Sequence, residues 1–188
     1  MTHLFRLTVT GTDNIPKPPF IIAANHQAWF DPAFIIPFFP ERPLIYTMAK
    51  RETVFNRAWK RRLLPLLGVF PISPNRGELD DQGLTTVYQV LERGGVLLMF
   101  PEGRYSRGRA LRPLKNGIGY FALQAGVPIS PVAVRGTDAL WPFRRIEVSI
   151  GPPIKPDLPA WWEASRRVSS IVESVRGAIS SALTRRRA

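Results

Sequence analysis

The sequence contains no cysteine and only two histidines among its 188 residues. The lack of cysteine excludes disulfides, thiolate metal sites and cysteine nucleophiles, and it is compatible with a reducing compartment. His3 and His26 alone argue against a histidine-rich metal centre. We expect no metal, and we also expect no cofactor. A chain of this length lies in the usual size range of one domain, and we predict that residues 1–188 form a single one.

Long hydrophobic runs are also missing. The longest run, residues 33–39, is broken by Pro37 and is too short to span a bilayer. The first residues, MTHLFRLTVTGTD, contain no apolar core of signal-peptide length. Any membrane contact is therefore expected to be peripheral, and we expect a cytoplasmic protein that lies on the inner face of the membrane.

Acidic residues are scarce relative to basic ones. The chain has 14 Asp and Glu against 26 Lys and Arg, which gives a formal net charge of +12. Such a charge favours anionic partners, which include phospholipid headgroups, phosphorylated metabolites, acidic carrier proteins and nucleic acid. Charge alone does not choose among them. The basic residues are not interleaved with a recognisable DNA or RNA motif, so we do not expect nucleic-acid binding.

Hydrophobic patterning predicts strands and helices that alternate along most of the chain. The predicted strands are residues 4–10, 20–24, 44–49, 68–73, 96–100, 127–134 and 146–150. Helices are predicted from Asp31 onward, at 84–93, at 116–125 and at about 161–183, with a polar turn at 75–81. This alternation predicts an α/β fold with a mixed, largely parallel central sheet flanked by helices.

Two further segments have amphipathic patterns. Residues 53–67 are predicted to form one basic surface helix, interrupted at Pro65, which either faces solvent or contacts a membrane. Its apolar positions are Phe55, Trp59, Leu63 and Leu66, and its basic positions are Arg57, Lys60, Arg61 and Arg62. The C-terminal helix either packs on the core or anchors to lipid through Trp161, Val168, Ile171, Val175, Ile179 and Leu183.

The stretch FIIAANHQAWFD, residues 20–31, joins a predicted strand to a predicted helix. The strand ends at His26, and Asp31 follows just before Pro32. Because Asp favours the N-cap and Pro the first helical position, Asp31 is predicted to cap the helix. A histidine beside an acid also suits an oriented general base, and Asp31 can serve in both ways.

Three polar residues are predicted to converge on one edge of the sheet. His26, Glu102 and Arg107 each lie just after an apolar strand. In α/β sheets the loops that leave the C-terminal ends of parallel strands gather at one edge and form the site. The sequence therefore predicts that these loops meet.

Four sequence blocks, in this order, resemble the glycerolipid acyltransferase superfamily, whose best-known members acylate 1-acylglycerol-3-phosphate. They are residues 25–31 (NHQAWFD), 68–76 (GVFPISPNR), 100–106 (FPEGRYS) and 127–132 (VPISPV). The resemblance covers roughly residues 20–135. It implies an O-acyltransferase that moves a fatty acyl group from acyl-CoA or acyl carrier protein to a hydroxyl of a lysophospholipid acceptor.

The resemblance also implies roles for individual residues. His26 would be the general base, and Asp31 would orient its ring and stabilise the imidazolium. The substrate-binding residues would be Glu102, Gly103, Arg104, Ser106, Arg107 and Arg76. Glu102 would hydrogen-bond acceptor hydroxyls or organise the loop, and the three arginines would bind phosphate. Neutral imidazole is suited to taking a hydroxyl proton near pH 7, and no metal is needed.

The chain departs from the superfamily pattern in two of the blocks. Arg104 replaces a threonine and Tyr105 an arginine in the third block, while Pro74 stands in the second block where an arginine would align. Because these positions hold the acceptor's phosphate in the superfamily, a phosphate-free acceptor such as a glycolipid or lipoamino acid is an alternative. A non-catalytic lipid-binding or nucleic-acid-binding domain is a more distant one.

Overall fold

The computed structural model describes residues 6–73, 80–107, 110–139, 143–157, 159 and 161–185. The strands are β1 (Arg6–Thr10), β2 (Phe20–Ala24), β3 (Ile45–Lys50), β4 (Val69–Ile72), β5 (Val96–Met99), β6 (Ile129–Arg135) and β7 (Arg145–Ile150). The α-helices are α1 (Asp31–Ile35), α2 (Arg51–Val54), α3 (Ala58–Leu63), α4 (Asp81–Glu92), α5 (Gly117–Ala125) and α6 (Ala164–Thr184). Short 3₁₀ turns occupy Thr12–Asn14, Ile36–Phe38 and Leu64–Leu67.

The strands form one sheet in the order β1-β7-β6-β2-β5-β3-β4. All neighbouring pairs are parallel except β6 and β7, so the predicted α/β fold with a mixed, largely parallel sheet is confirmed. Strand β2 lies between β5 and β6, and all of its residues are buried. Burial on both faces explains why its sequence is continuously apolar instead of alternating.

The two faces of the sheet carry separate apolar clusters. Helices α4, α5 and α6 cover one face, where residues such as Val87, Ile118 and Val175 pack on Ile21 and Leu97. The cluster on the opposite face consists of Phe20, Ile22, Ala24, Ile35, Phe39, Ile45, Val96, Leu98, Val132, Val134, Val148 and Ile150. Both faces are thus covered, and the strand ends remain as the place for polar chemistry.

Helix α6 packs on β6 and α5 through part of the predicted stripe. Val168, Ile171, Val175 and Ile179 are buried, which agrees with core packing. The assignment of Trp161 to this stripe is wrong, because it precedes the helix and is 81% exposed. No α-helix in the described parts of the chain is both long and apolar enough to cross a bilayer.

The helix predicted at 53–67 is wrong as one element, although the interruption predicted at Pro65 is confirmed. The segment is divided into α2, α3 and the 3₁₀ turn Leu64–Leu67, with Pro65 in that turn. Phe55, between α2 and α3, is buried and so leaves the surface stripe to which its spacing assigned it. Proline has no N–H to continue an α-helix, which agrees with the change from α3 to a 3₁₀ turn at Pro65.

The polar turn predicted at 75–81 lies mainly outside the described residues. Helix α4 begins at Asp81, earlier than the position predicted from the apolar spacing. The ends of a helix are the least reliable part of a prediction from periodicity, because the first turn is often polar.

Candidate active site

His26 projects from a point where the end of β2 is fixed to β6. The side chain of Asn25 donates to the carbonyl of Val134 at 2.9 Å and accepts from its N–H at 2.7 Å. A side chain therefore continues the pairing of the two strands where the β2 backbone leaves the sheet. Asn25, which directly precedes His26, is thereby fixed at the start of the loop.

A buried carboxylate orients the His26 ring. Asp31 Oδ2 lies 2.7 Å from His26 Nδ1 and also accepts the backbone N–H groups of Gln27 at 2.7 Å and Ala28 at 3.0 Å. Asp31 is fully buried, whereas the His26 side chain is 14% exposed. The ring is thus held from one side and accessible from another.

Asp31 is not the helix N-cap that its sequence position predicted. It is the first residue of α1, whose N-cap is Phe30, and no side chain caps this helix. Its carboxylate turns back toward the loop because the N–H groups of Gln27 and Ala28 supply the donors there. The structure therefore does not support helix capping by Asp31, whose carboxylate contacts the His26 ring instead.

Glu102 connects the His26 loop to the segment that follows β5. Its Oε1 accepts the backbone N–H of His26 at 2.7 Å, and its Oε2 accepts that of Arg112 at 2.9 Å. Glu102 is 4% exposed. Both oxygens are occupied by backbone donors, which favours a role in organising the loops over direct contact with acceptor hydroxyls.

Ser106 and Gly103 complete this connection. The N–H and hydroxyl of Ser106 both donate to the carbonyl of His26, at 2.6 and 3.0 Å. Gly103 has φ 69°, and a Cβ built on it would lie 2.8 Å from Lys115 Cε. Glycine is suited to this turn because it adopts positive φ and allows the close approach.

Two aromatic rings contact the imidazole. Phe100 stacks on His26 with ring centroids 3.8 Å apart, and Tyr105 meets the ring edge-on at 4.4 Å. Burial raises the pKa of Tyr105, the charge of Asp31 raises it further, and Arg107 lowers it. The phenol therefore stays neutral near pH 7. No local pattern predicts these contacts, although Phe100 and Tyr105 flank Glu102 in the third block.

The arginines predicted to bind phosphate lie at the surface, unlike the buried Asp31, Glu102 and Ser106. Arg104 and Arg107 are exposed, and neither forms an ion pair with any residue that the structure describes. Arg107 has φ 51°, an uncommon conformation for a residue with a side chain. Arg76 lies outside the described residues.

Gln27 also contributes to the loop, although nothing in the sequence pattern singles it out. Its Oε1 accepts the N–H and the hydroxyl of Thr137, both at 3.2 Å. It borders a cleft of about 450 Å³ whose other lining residues are Arg135, Gly136, Asp138, Arg144, Arg145 and Glu147.

In the parts of the chain that are described, no group of three acidic or histidine side chains could hold a metal ion.

Comparison with known proteins supports the family that the sequence resembles. A family model described as Acyltransferase matches residues 6–135. A probable 1-acyl-sn-glycerol-3-phosphate acyltransferase of Mycoplasma pneumoniae is 26% identical over 135 residues, which is 70% of this chain and 50% of that protein. The lyso-ornithine lipid O-acyltransferase of Pseudomonas aeruginosa is 32% identical over 136 residues, 69% of this chain and 47% of that protein. The chain thus spans about half the length of these curated relatives.

A solved structure shares the fold. The crystal structure of the 1-acyl-sn-glycerophosphate acyltransferase PlsC from Thermotoga maritima matches with a TM-score of 0.72 and 24% sequence identity. The match covers 97% of this chain and 74% of that one. The arrangement of the sheet and helices is therefore shared between the two proteins.

Proposed function

The chain belongs to the Acyltransferase family, and on that premise we propose that it transfers a fatty acyl group from an acyl thioester to a hydroxyl of 1-acylglycerol-3-phosphate or a related lysolipid. The observation that carries this proposal is the 2.7 Å contact between His26 Nδ1 and Asp31 Oδ2. The acceptor follows from the names of relatives such as the Mycoplasma protein. The thioester donor would be acyl-CoA or acyl carrier protein, both anionic and therefore suited to a chain of net charge +12.

In this proposal His26 acts as the general base through Nε2. Asp31 Oδ2 accepts two backbone N–H groups, so it is an acceptor for His26 as well, and Nδ1 carries the hydrogen. The lone pair is then on Nε2, for which the described residues provide no hydrogen-bond donor. A neutral imidazole held in this tautomer can take a proton from an alcohol.

The reaction proceeds by direct attack of the acceptor. Its hydroxyl gives a proton to Nε2 while its oxygen bonds to the thioester carbonyl carbon, and the carbonyl electrons move onto oxygen. Collapse of this intermediate breaks the C–S bond, and the leaving thiolate takes the proton from His26. The products are an ester and a free thiol. No acyl-enzyme is required, because the acceptor oxygen is itself the nucleophile.

The surrounding residues have separate roles in this scheme. Asp31 stabilises the imidazolium that forms, and Glu102, Gly103 and Ser106 keep the His26 loop in position. Arg104 and Arg107 bind the acceptor phosphate through charge-assisted hydrogen bonds, for which the planar guanidinium is suited. Arg76 is proposed for the same function on the basis of the sequence resemblance alone.

We propose that the enzyme works from the cytoplasmic side as a peripheral protein on the inner face of the membrane. The acyl thioester donors are water-soluble, whereas a lysolipid acceptor resides in the bilayer. An enzyme that joins the two therefore has to reach the membrane surface without leaving the donor's compartment.

A second candidate acceptor is a lysolipid without phosphate. Tyr105, and not an arginine, lies 4.4 Å from the His26 ring, so the group nearest the base on this turn is a neutral phenol. A relative that is 32% identical is named for action on a lyso-ornithine lipid. These two observations make a phosphate-free lysolipid the acceptor to test beside 1-acylglycerol-3-phosphate.

A mass-spectrometric transfer assay tests both candidates. The purified chain is mixed with 1-acylglycerol-3-phosphate and phosphate-free lysolipids, once with acyl-CoA and once with acyl carrier protein as donor. We expect acylation of the phosphate-bearing acceptor by the wild type and not by His26→Ala. Acylation of phosphate-free acceptors alone would replace the first proposal with the second, and no transfer to any acceptor would overturn both.

A further inference from the structure

An uncovered apolar surface follows strand β3. Neither α3 nor the 3₁₀ turn Leu64–Leu67 buries any residue. Trp59 is 55% exposed, Leu63 46%, Leu66 77% and Leu67 58%. Leu44, also exposed, lies beside Gly68 at the end of the turn and extends this surface. We call these five apolar residues, together with Arg57, Lys60, Arg61 and Arg62, the α3 patch.

The α3 patch concentrates exposed apolar side chains, because four of its five lie between positions 59 and 67. Single exposed leucines are normal, but a contiguous apolar group marks an interaction site. A helix as short as α3 is not stable alone in water, and its main packing contact is with the turn that follows it. Buried Phe55 anchors the start of the segment to the fold, while the patch itself faces outward.

The cations of the α3 patch are free to meet an anionic partner. Within the described residues, none of Arg57, Lys60, Arg61 and Arg62 forms an ion pair. Glu52 is the one acidic residue between positions 51 and 67. Lys60 lies 5.7 Å from the centroid of the Trp59 ring, and Arg61 donates to the carbonyl of Phe55 at 3.3 Å. Cations are thus interleaved with the apolar side chains.

This combination fits a lipid surface better than nucleic acid. Leucine and tryptophan side chains insert at the boundary between headgroups and acyl chains, while arginine and lysine pair with anionic headgroups. A nucleic-acid strand would neutralise the cations, but it would leave Leu63, Leu66 and Leu67 in water. The observations therefore favour a membrane over a polynucleotide.

The segment that carries the α3 patch connects the two edges of the sheet. Strands β3 and β5 are parallel to β2, so all three end at the edge that carries His26 and Glu102, and the segment leaves this edge at Arg51. Because β4 is parallel to β3, the segment crosses to the opposite edge, where Gly68 lies beside Leu44 and Ile45 at the start of the two strands. The α3 patch therefore extends away from the candidate site, and a bilayer that holds it contacts a crossover whose first residues lie at the site edge.

We propose that the α3 patch docks the protein on a bilayer that contains anionic phospholipids, with its apolar side chains in the interface and its cations against the headgroups. This inference deepens the proposed function, on which it rests for the membrane-resident acceptor. Docking itself involves no chemistry, so it can be measured without turnover.

Vesicle co-sedimentation tests the charge component. The probes are phosphatidylcholine vesicles with and without phosphatidylglycerol. Each cation near the surface changes affinity about fivefold, so the triple variant Arg57→Gln/Lys60→Gln/Arg62→Gln should bind the anionic vesicles on the order of 100-fold more weakly. The matched control, Lys17→Gln/Arg93→Gln/Lys155→Gln, removes the same charge from exposed positions elsewhere. It should bind close to the wild type, and added salt should weaken wild-type binding.

A second pair of variants tests the apolar component. Leu66→Ser/Leu67→Ser should weaken binding by at least about tenfold, because two leucines no longer leave water on docking. Trp161→Ser, at an exposed aromatic outside the patch, should not. These three positions are exposed, so circular dichroism and thermal unfolding should match the wild type. If Leu66→Ser/Leu67→Ser does not fold, the vesicle binding of the charge variants alone tests the proposal.

Several outcomes would overturn the inference. These are equal binding to neutral and anionic vesicles, equal weakening by the control triple, or loss of self-association in Leu66→Ser/Leu67→Ser while vesicle binding stays intact. The last result would identify an interface between copies of the chain. His26→Ala should keep vesicle binding, and the patch variants should keep transfer to a short-chain, monomeric acceptor. Vesicle binding without turnover would therefore count against the proposed function alone. Turnover with vesicle binding that does not depend on the α3 patch would count against this inference alone.

Discussion

The two sides of the candidate site differ in how their polar groups are engaged. On the histidine side, Asp31, Glu102 and Ser106 are buried and bond to His26 or its neighbours. On the arginine side, Arg104 and Arg107 are exposed and unpaired within the described residues. The histidine side follows both β2 and β5, whereas both arginines follow β5.

This difference indicates that the base and the acceptor are controlled separately. Groups that are buried and hydrogen-bonded hold one geometry, which is what proton transfer requires. Exposed cations without partners can adapt to a charged ligand and contribute little to folding. Changes on the histidine side should therefore affect every acceptor equally, whereas changes on the arginine side should affect only acceptors that carry phosphate.

The largest effect is expected from His26→Ala. A general base contributes about 10²–10⁴-fold, so kcat/KM should fall by that factor for every acceptor. The backbone N–H and carbonyl of position 26, which bond to Glu102 and Ser106, remain in the variant, so the fold should persist. Steady-state transfer assays with circular dichroism as a fold check measure both. Near-normal turnover would exclude His26 as the base.

Asp31→Asn should separate catalysis from stability. The backbone N–H groups of Gln27 and Ala28 favour the amide oxygen at the position of Oδ2, which places the amide nitrogen at the position of Oδ1. The tautomer of His26 is then kept, but the negative charge that stabilises the imidazolium is lost. We expect kcat to fall about 10²-fold. This is the lower end of the range for loss of a general base, because the position and tautomer of His26 are retained.

The same variant should not lose stability. Asp31 is a fully buried carboxylate whose Oδ1 has no hydrogen-bond partner among the described residues, and its one ion-pair contact there is His26. Replacing such a charge with a neutral amide removes a desolvation cost. This gain offsets the cost of about 1–3 kcal/mol for the amide nitrogen, which has no acceptor at the position of Oδ1 among the described residues. Urea denaturation should show equal or greater stability than the wild type, with the exposed change Asp157→Asn as control. A large loss of stability with normal kcat would assign Asp31 a structural role instead.

Glu102→Gln should have a moderate effect through the loops. Both carboxylate oxygens accept backbone N–H groups, so the amide nitrogen of glutamine must face the donor of either His26 or Arg112. A buried donor left unpaired costs about 1–3 kcal/mol, which urea denaturation measures. Transfer to all acceptors should fall together, because the His26 backbone shifts. Glu92→Gln, at the exposed end of α4, is the control and should leave both quantities unchanged.

Much of the fold is accessible from the sequence because it depends on local pattern. Continuous apolar runs predict β2 and β5, and the rule for strand ends predicts that the loops after them meet. The bonds from Glu102 and Ser106 to His26 agree with that expectation. Patterns of this kind identify which residues are near one another, but not which atoms bond.

The remaining features depend on contacts that are distant in sequence. Asn25 bonds to Val134, 109 positions further on, and Gln27 bonds to Thr137, 110 positions further on, so no local pattern marks either side chain. Propensity places Asp31 at the cap of α1 because it considers the helix and not the loop N–H groups behind it. In 53–67 the spacing is close to helical and Pro65 marks a break, but the spacing does not show that Phe55 is buried.

The smallest effect, and the sharpest test of the comparison, is expected from Arg104→Gln/Arg107→Gln. Glutamine has the same backbone preference as arginine at the positive φ of Arg107, so the turn should keep its shape. A charge-assisted hydrogen bond contributes about 1.5–3 kcal/mol when buried, and less at exposed positions such as these. We therefore expect KM for 1-acylglycerol-3-phosphate to rise about tenfold with kcat nearly unchanged, and no change for phosphate-free lysolipids.

Paired kinetics on the two acceptor types decide whether the sides of the site are independent. Arg93→Gln, an exposed arginine at the end of α4, controls for the general loss of positive charge. An equal rise in KM for both acceptor types would mean that the arginines shape the site for any lysolipid. An unchanged KM for the phosphate-bearing acceptor would show that the arginines do not recognise the acceptor. The contact of the neutral Tyr105 with His26 would then favour a phosphate-free acceptor.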